Sequence, residues 1–255
     1  MTQGDRKAAI VTGGAKRIGE AVSRALAEDG YFVFVHYNTS DRDAKALVEE
    51  LQTSGAGAAA VGADLSNPDS ASGLIAACRA QGPAPRVLVN SASVFEADHA
   101  PTVTLESWQK HLMVNLTAPM LMMRDFAAQI PEEERGIVIN FLDYKLFNLN
   151  PDFFSYTISK YALKGVTEMM AMALAPKVRV CGLAPGLTLA SPYQSEETFR
   201  RLHNRNPLQK GPTVEDHIRA IRFMIATPSY SGQMMAVDGG QHFDALAKDV
   251  SYLDG

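Results

Sequence analysis

Short apolar runs alternate with longer amphipathic stretches along nearly the whole chain, and no other feature of the sequence restricts the fold as much. The runs are Ala8–Thr12, Phe32–His36, Ala58–Gly62, Val87–Asn90, Ile137–Phe141, Val178–Leu183 and Met234–Val237. Several are almost unbroken in Val, Ile, Ala and Leu, as expected of strands covered on both faces. Between them, apolar residues recur at helical spacing over Ile18–Glu28, Ala44–Ser54, Asp69–Gln81, Trp108–Gln129, Tyr156–Leu174 and Val214–Ala226. Pro68 suits a helix start, and Gly30 and Gly55 suit helix ends. Strand–helix–strand units cross over with one hand and lie parallel, so the pattern predicts an α/β fold with a doubly wound parallel sheet. No repeat, low-complexity tract or linker divides the 255 residues, which read as one domain. In such a sheet, ligands bind beyond the carboxyl ends of the strands, so the residues just after each run are the ones to search.

Composition removes several classes of function. With 28 acidic and 24 basic residues the net charge is −4, which argues against a nucleic-acid partner. Cys78 and Cys181 lie far apart without a CxxC, so they form neither a disulfide framework nor a zinc site and read as inert buried thiols. The six histidines make no pair at metal-binding helical spacing, and no metal is expected. No run approaches the roughly 18 apolar residues of a membrane span, and Ala8–Val11, after the polar Met1–Arg6, is too short for a signal sequence. The expected address is a reducing cytoplasm. Glu132–Glu134 reads as a solvated loop. Met120, Met122, Met123, Met169, Met170 and Met172 fall on two long helices as core filling.

Two segments carry chemistry. Thr12-Gly13-Gly14-Ala15-Lys16-Arg17-Ile18-Gly19 is a glycine-rich turn entering a helix, where free N–H groups and the positive helix end suit a phosphate. Taken alone it is equally a tight turn. The second strand ends in His36-Tyr37-Asn38-Thr39-Ser40 with no acid before Asp41 to hold a free ribose 2′-OH. Lys16 and Arg17 in the adjoining turn, with Ser40, favour a 2′-phosphate and hence NADPH; the alternative is a solvated basic pair. Tyr156-Thr157-Ile158-Ser159-Lys160 opens a helix, and residues four apart share a face. The Lys160 ammonium is expected to lower the Tyr156 phenol from about 10 toward neutrality and make it a proton donor.

With these motifs in order, the sequence resembles the short-chain dehydrogenase/reductase family over nearly its full length. The resemblance rests on Thr12-Gly13…Gly19, Asp64-Leu65, Asn90-Ser91-Ala92, Asn115, Tyr156…Lys160, Pro185-Gly186 and Asp238-Gly239-Gly240. It implies a Rossmann-type domain in which Tyr156 is the proton donor, Lys160 tunes it and holds the nicotinamide ribose, and Asn115 anchors a water relay behind Lys160. It implies that Gly13, Ile18, Gly19, His36, Tyr37, Asn38, Ser91, Ala92, Pro185, Gly186 and Thr188 belong to the cofactor site. Asp64 and Leu65 would flank the adenine, and Asn90 the adenosine ribose. Pairing of the two Met-bearing helices would make a homodimer or homotetramer.

Two departures narrow the resemblance. Arg17 stands where the family has glycine, and Asp143, thirteen residues before Tyr156, stands where it has serine. An ionised carboxylate only accepts hydrogen bonds, which favours a substrate offering N–H groups, or a second proton route through water. Both departures occur in the pteridine reductases and dihydromonapterin reductases, whose turn Gly-Ala-Ala-Lys-Arg-Leu-Gly and stretch Asn-Asn-Ala-Ser-Ser-Phe are similar to residues 13–19 and 90–95. That likeness implies Phe95 stacking on a pterin ring, Ser93 binding cofactor phosphate or the pterin edge, and Arg17 reaching substrate and pyrophosphate together. Tyr193, in a loop from Gly186 to Pro212, would cover the substrate. Leu146–Phe154 matches no pattern, and the tail from Phe243 to Gly255 either packs on a neighbouring subunit or hangs loose. The expected activity is NADPH-dependent reduction of a dihydropterin. The alternatives are reduction of ordinary ketones or aldehydes, and a non-catalytic NADP(H)-binding sensor.

Overall fold

The computed structural model describes residues 7–191 and 193–253, so the reading of Met1–Arg6 lies outside the described residues. All seven expected strands form: β1 (Ala8–Thr12), β2 (Phe32–Tyr37), β3 (Ala58–Gly62), β4 (Pro85–Asn90), β5 (Gly136–Phe141), β6 (Val178–Pro185) and β7 (Met234–Val237). They pair in the order β3-β2-β1-β4-β5-β6-β7, every neighbour parallel. The order reverses between β1 and β4, which opens a crevice beyond their carboxyl ends.

Successive strand residues face opposite ways and feed two cores. Ala9, Val11, Val33 and Val35 pack toward α1 (Arg17–Glu28), α2 (Asp41–Thr53) and α8 (Val214–Ala226). Ala8, Ile10, Phe34 and Leu88 pack toward α3 (Pro68–Arg79), α5 (Ala118–Gln129) and α6 (Phe154–Ala173). Pro68 opens α3 behind an Asn67 cap, and Gly30 and Gly55 end α1 and α2 at φ +86° and +88°. Met122 and Met123 are fully buried, whereas Met169 and Met172 are 66% and 73% exposed, so the core reading fails for those two.

Three segments differ from the sequence pattern. The expected helix Trp108–Gln129 is divided into α4 (Leu105–Leu112), a π turn at Met113–Thr117, and α5. The extra residue of a π turn carries no signature in hydrophobic spacing. α7 (Glu196–His203) was expected as loop; at eight residues it is too short and polar to show a period, but Ser195 caps it by accepting from the Thr198 N–H. The tail is not loose: residues 244–253 fold back over the chain's own sheet end, with Val250 buried. Among the described residues no helix is long and apolar enough to cross a membrane.

A buried polar ladder ties the sheet to α6. The Asn90 amide donates to Asn140 Oδ1 at 2.8 Å, and Asn140 Nδ2 donates to Thr167 Oγ1 at 2.9 Å. An aliphatic residue at 140 would strand both partners without water. Asn140→Leu is expected to lower the unfolding free energy by about 1–3 kcal/mol in urea titrations. A loss under about 0.5 kcal/mol, the range of neutral surface changes, would show that the ladder does not hold α6.

Candidate active site

The turn after β1 is built to let another molecule approach its backbone. Gly13 adopts φ +61°, and a Cβ there would lie 3.0 Å from the Ala92 Cα. Its N–H donates to His36 Nδ1 and the Gly14 N–H to the His36 carbonyl, both at 3.0 Å. Because Nδ1 accepts, Nε2 carries the proton and donates to Ala63 O at 3.0 Å. His36 therefore braces the turn from within. Lys16, the first residue outside α1, makes no side-chain cap, whereas α3, α4, α7 and α8 are capped by Asn67, Thr104, Ser195 and Thr213. An uncapped helix start behind a glycine turn offers its N–H groups to an anion.

Two clefts meet at this turn, sharing Gly13, Lys16, Ala92 and Ser93. The smaller, about 350 Å³, is lined by His36, Tyr37, Asn38, Ser40, Asp64 and Leu65. The larger, about 560 Å³, holds Arg17, Ile18, Gly19, Ser91, Phe95, Asp143, Tyr156, Lys160, Pro185, Gly186 and Thr188. An elongated ligand with phosphates at the turn would have one end in each. These residues fit a dinucleotide. In a groove of about 1180 Å³ at the amino ends of the strands, Arg86 pairs with Glu134, and Arg179 donates to Met224 O, Ile225 O and Tyr230 O.

At the heart of the larger cleft, the Tyr156 hydroxyl donates to Asp143 Oδ2 at 2.6 Å. Burial pushes the phenol well above 10, and the neighbouring Asp143 adds to the rise. Burial also raises the Asp143 carboxyl, against the pull of the Tyr156 hydrogen bond. Burial brings Lys160 down to about 8, which Asp143 partly opposes. Its ammonium donates to Phe141 O at 2.7 Å and lies 5.8 Å from the Tyr156 ring centre. This direction for Tyr156 is opposite to the lowering expected from the Lys160 charge alone. Desolvation and an adjacent carboxyl outweigh a cation that is not in hydrogen-bond contact. Both groups of the pair are thus shifted toward their neutral forms, while Asp143 accepts the Tyr156 hydroxyl on one oxygen and the Lys145 N–H on the other.

The start of α6 is set by groups the sequence reading missed. Asp98 Oδ1 accepts the Ser155 N–H at 2.9 Å, and its Oδ2 accepts Ser107 Oγ at 2.8 Å. Burial alone would raise Asp98, but these hydrogen bonds hold it below the usual carboxylate range. A carboxylate at a helix amino end also meets the positive dipole. Phe153, just before α6, adopts the left-handed conformation at φ +50° with its ring fully buried against Phe95, centres 4.2 Å apart and 17° from parallel. Only the unexplained run Leu146–Phe154 hinted at this strain.

Several expected roles change. Arg17, at φ +55° where glycine is easier, donates to Ala190 O at 3.0 Å and lines only the larger cleft. Lys16 alone of the expected basic pair reaches the smaller cleft, and it is paired with Asp43 at 2.9 Å. Asn90 lines neither cleft, being 2% exposed and bound to Asn140. Asn115 is also buried; its amide donates to Val94 O and Ser159 Oγ and accepts from Val94 N and Ser93 Oγ, so its side chain braces the β4 end and has no hydrogen-bonding capacity left for a water. Phe95 lines the cleft, but Phe153 covers one face and Tyr156 meets it edge-on at 4.8 Å, so a ligand ring has at most the other face. Tyr193 packs edge-on against Phe95 and Phe153 and accepts the Ala97 N–H, behind the cleft wall. Thr188 shares a 2.7 Å contact with the buried His217. Cys78 and Cys181 are buried thiols pushed up to about 12 and about 11 by burial. Among the described residues no cluster of metal ligands occurs.

Burial lowers both His36 and His217 to about 4. The unfolded chain takes these protons near 6.5, so it binds more protons throughout that window and acid favours unfolding. Between pH 7 and pH 5 each histidine is expected to remove on the order of 2 kcal/mol of stability. His36→Gln, read by urea unfolding at both pH values, should show a visibly smaller acid loss; an unchanged loss would place the titration elsewhere.

The short chain dehydrogenase family profile matches residues 7–200. The crystal structure of FolM alternative dihydrofolate reductase 1 from Brucella canis, complexed with NADP, superposes with a TM-score of 0.91 at 39% identity, covering 93% of this chain and 94% of that one. A 3-oxoacyl-[acyl-carrier-protein] reductase of Synechocystis is 30% identical, over 94% of this chain and 98% of its own length. Pteridine reductase 1 of Leishmania tarentolae is 29% identical, over 91% and 95%. The family profile spans well over half of the sequence, and the chain belongs to the short-chain dehydrogenase family.

Proposed function

We propose that the chain is an NADPH-dependent reductase acting on a C=N or C=O bond of a flat heteroaromatic ring, with dihydropterins as the substrate class. The observation that carries this reading is the hydrogen bond between Tyr156 and Asp143 in the larger cleft. The likeness to a FolM reductase and to a pteridine reductase supports it. When bound, NADPH supplies the hydride. The turn at Gly13, the start of α1 and the smaller cleft hold the nucleotide, with Lys16 beside them.

Tyr156, kept protonated, gives its proton to the ring atom that gains negative charge. Asp143, 2.6 Å from the phenol oxygen, relays a replacement proton to it. Lys160, charged below about 8, stabilises the phenolate that exists between the two transfers. A carboxyl that has given up its proton then accepts an N–H of the ring, which a simple ketone does not offer. The exposed Met169, Met172 and Tyr161 on α6 support self-association into a dimer or tetramer. Free cysteines support a reducing cytoplasm as its location. The second reading, reduction of ordinary ketones, is favoured by the identity with a 3-oxoacyl reductase.

The test compares NADPH oxidation with 7,8-dihydrobiopterin and with ethyl acetoacetate. Tyr156→Phe is expected to lower kcat by about 10²–10⁴-fold while NADPH binding stays near wild type. Asp143→Ser should cost dihydropterin turnover more than ketone turnover, and the opposite ranking would establish the ketone reading. Loss of the Lys160 proton removes its charge, so kcat for reduction is expected to fall as pH rises through about 8. A flat profile from pH 7 to 9 under saturating substrate would remove Lys160 from the chemistry.

A further inference from the structure

The tail returns to the reaction cleft and is fastened there at both sides. On the floor side, buried Lys145 donates to Asp249 Oδ2 at 3.1 Å and to the Asp152 carbonyl at 2.5 Å. The Asp249 N–H donates to Asp152 Oδ2 at 2.8 Å, and Asp249 Oδ1 accepts the Ser251 N–H at 2.9 Å. The Lys145 and Asp249 side chains are 4% and 9% exposed. Tyr252 lies parallel to Phe153 with ring centres 5.3 Å apart, and Phe153 stacks in turn on Phe95, so one stack of three rings runs from the tail to the end of β4. On the loop side, Gln194 Nε2 donates to Val250 O at 3.4 Å, and Arg201 on α7 donates to Leu253 O at 3.2 Å. Asp249, Val250 and Ser251 thereby line the same cleft as Asp143 and Tyr156.

A buried ion pair is expensive unless its remaining donors and acceptors are met, and breaking one side of it costs far more than a surface pair would. Here both members are satisfied, and the pair joins residue 145, two positions after Asp143, to a segment more than a hundred residues later. Asp143 Oδ1 accepts the Lys145 N–H at 2.9 Å, so the latch and the catalytic carboxyl share one short turn. We propose that Asp249–Leu253 is the substrate-selecting wall of the reaction cleft, supplied by the chain to itself, and that the Lys145–Asp249 pair is the latch that holds it. A wall pinned to the floor, the aromatic stack and α7 fixes the width beside Tyr156. A rigid planar substrate loses little by entering such a slot, whereas a flexible acyl chain must order its rotors to fit. The wall therefore discriminates by shape, while Asp143 discriminates by hydrogen bonding. The proposal rests on reading this cleft as the reaction site but not on the substrate being a pterin.

The test uses the full chain and two variants, one truncated after Asp244 and one carrying Asp249→Asn, which keeps the shape and loses the charge. Each is assayed with 7,8-dihydrobiopterin, ethyl acetoacetate and the bulkier acetoacetyl-N-acetylcysteamine, and NADPH affinity is measured separately by fluorescence titration. In both variants, KM for the preferred substrate of the wild type is expected to rise about tenfold, more than kcat changes. The ratio of kcat/KM for the bulky over the small ketone should rise at least fivefold, with the nucleotide Kd within twofold. In Asp249→Asn, hydrogen exchange at residues 245–253 should quicken. KM values and the bulky-to-small ratio within twofold of wild type in both variants would overturn the proposal, as would slow, unchanged exchange in Asp249→Asn. Failure of the wild type to reduce the pterin would instead strike the substrate assignment, and the ketone ratio would still judge the wall.

Discussion

A phenol and a carboxyl group 2.6 Å apart, in a place where neither is well solvated, cannot both be charged, and the site follows from that constraint. Water would ionise Asp143 and leave Tyr156 neutral. Burial instead raises both, shifting each toward its neutral form, while the Tyr156 hydrogen bond pulls Asp143 back. Lys160 sits behind them, bonded to the Phe141 carbonyl rather than to the phenol. Its charge therefore acts mainly when the phenol becomes an anion and attraction has something to act on. A reductase needs a donor that is loaded before hydride arrives, and a phenol that keeps its proton answers that need better than one already half ionised.

The scaffold bears strain to make this arrangement. Arg17 and Phe153 are non-glycine residues in the left-handed region, and each costs of order 1 kcal/mol or more. Both sit against the larger cleft or its aromatic wall. Arg17 turns its guanidinium to the Ala190 carbonyl, across the cleft mouth from the glycine turn. Phe153 buries its ring between Phe95 and Tyr252 and starts α6 three residues before Tyr156. Glycine at either position would relieve the backbone and lose the contact. Asp98 then fixes the first turn of α6, so the helix that carries Tyr156 and Lys160 is positioned by the β4–α4 loop as well as by the sheet.

The scaffold was legible in the sequence because strand and helix periods are local signals. Every strand expected from an apolar run is present, and the residues just after the strands do line the two clefts. What stayed hidden depends on contacts between distant segments. Asn90 is expected near the adenosine ribose and Asn115 at a water relay, yet the Asn90 amide nitrogen is bound to Asn140 and the Asn115 side chain to Ser93, Ser159 and the Val94 backbone. No pattern in residues 87–118 could show that. The direction of the Tyr156 shift was missed for the same reason: helical spacing reveals Lys160, but the depth of the cleft and the approach of Asp143 are three-dimensional facts. Lys145 and Asp249 are separated by 104 positions and look like ordinary surface charges until the tail folds back.

The two selective elements work at different ranges and so do not substitute for one another. On the proposed reading, Asp143 reads hydrogen-bond donors on the substrate, an interaction lost within about an ångström of misplacement. The segment behind it reads overall thickness, through side chains whose backbone is pinned at Lys145, Asp152, Gln194 and Arg201. A planar ring with N–H groups satisfies both at once. A thin ketone satisfies only the second: when Tyr156 turns to protonate it, Asp143 keeps the Lys145 N–H as its donor and gains none from the substrate. On the proposed reading, an N–H-bearing ring gives Asp143 a further donor as the Tyr156 proton leaves, whereas a ketone gives it none.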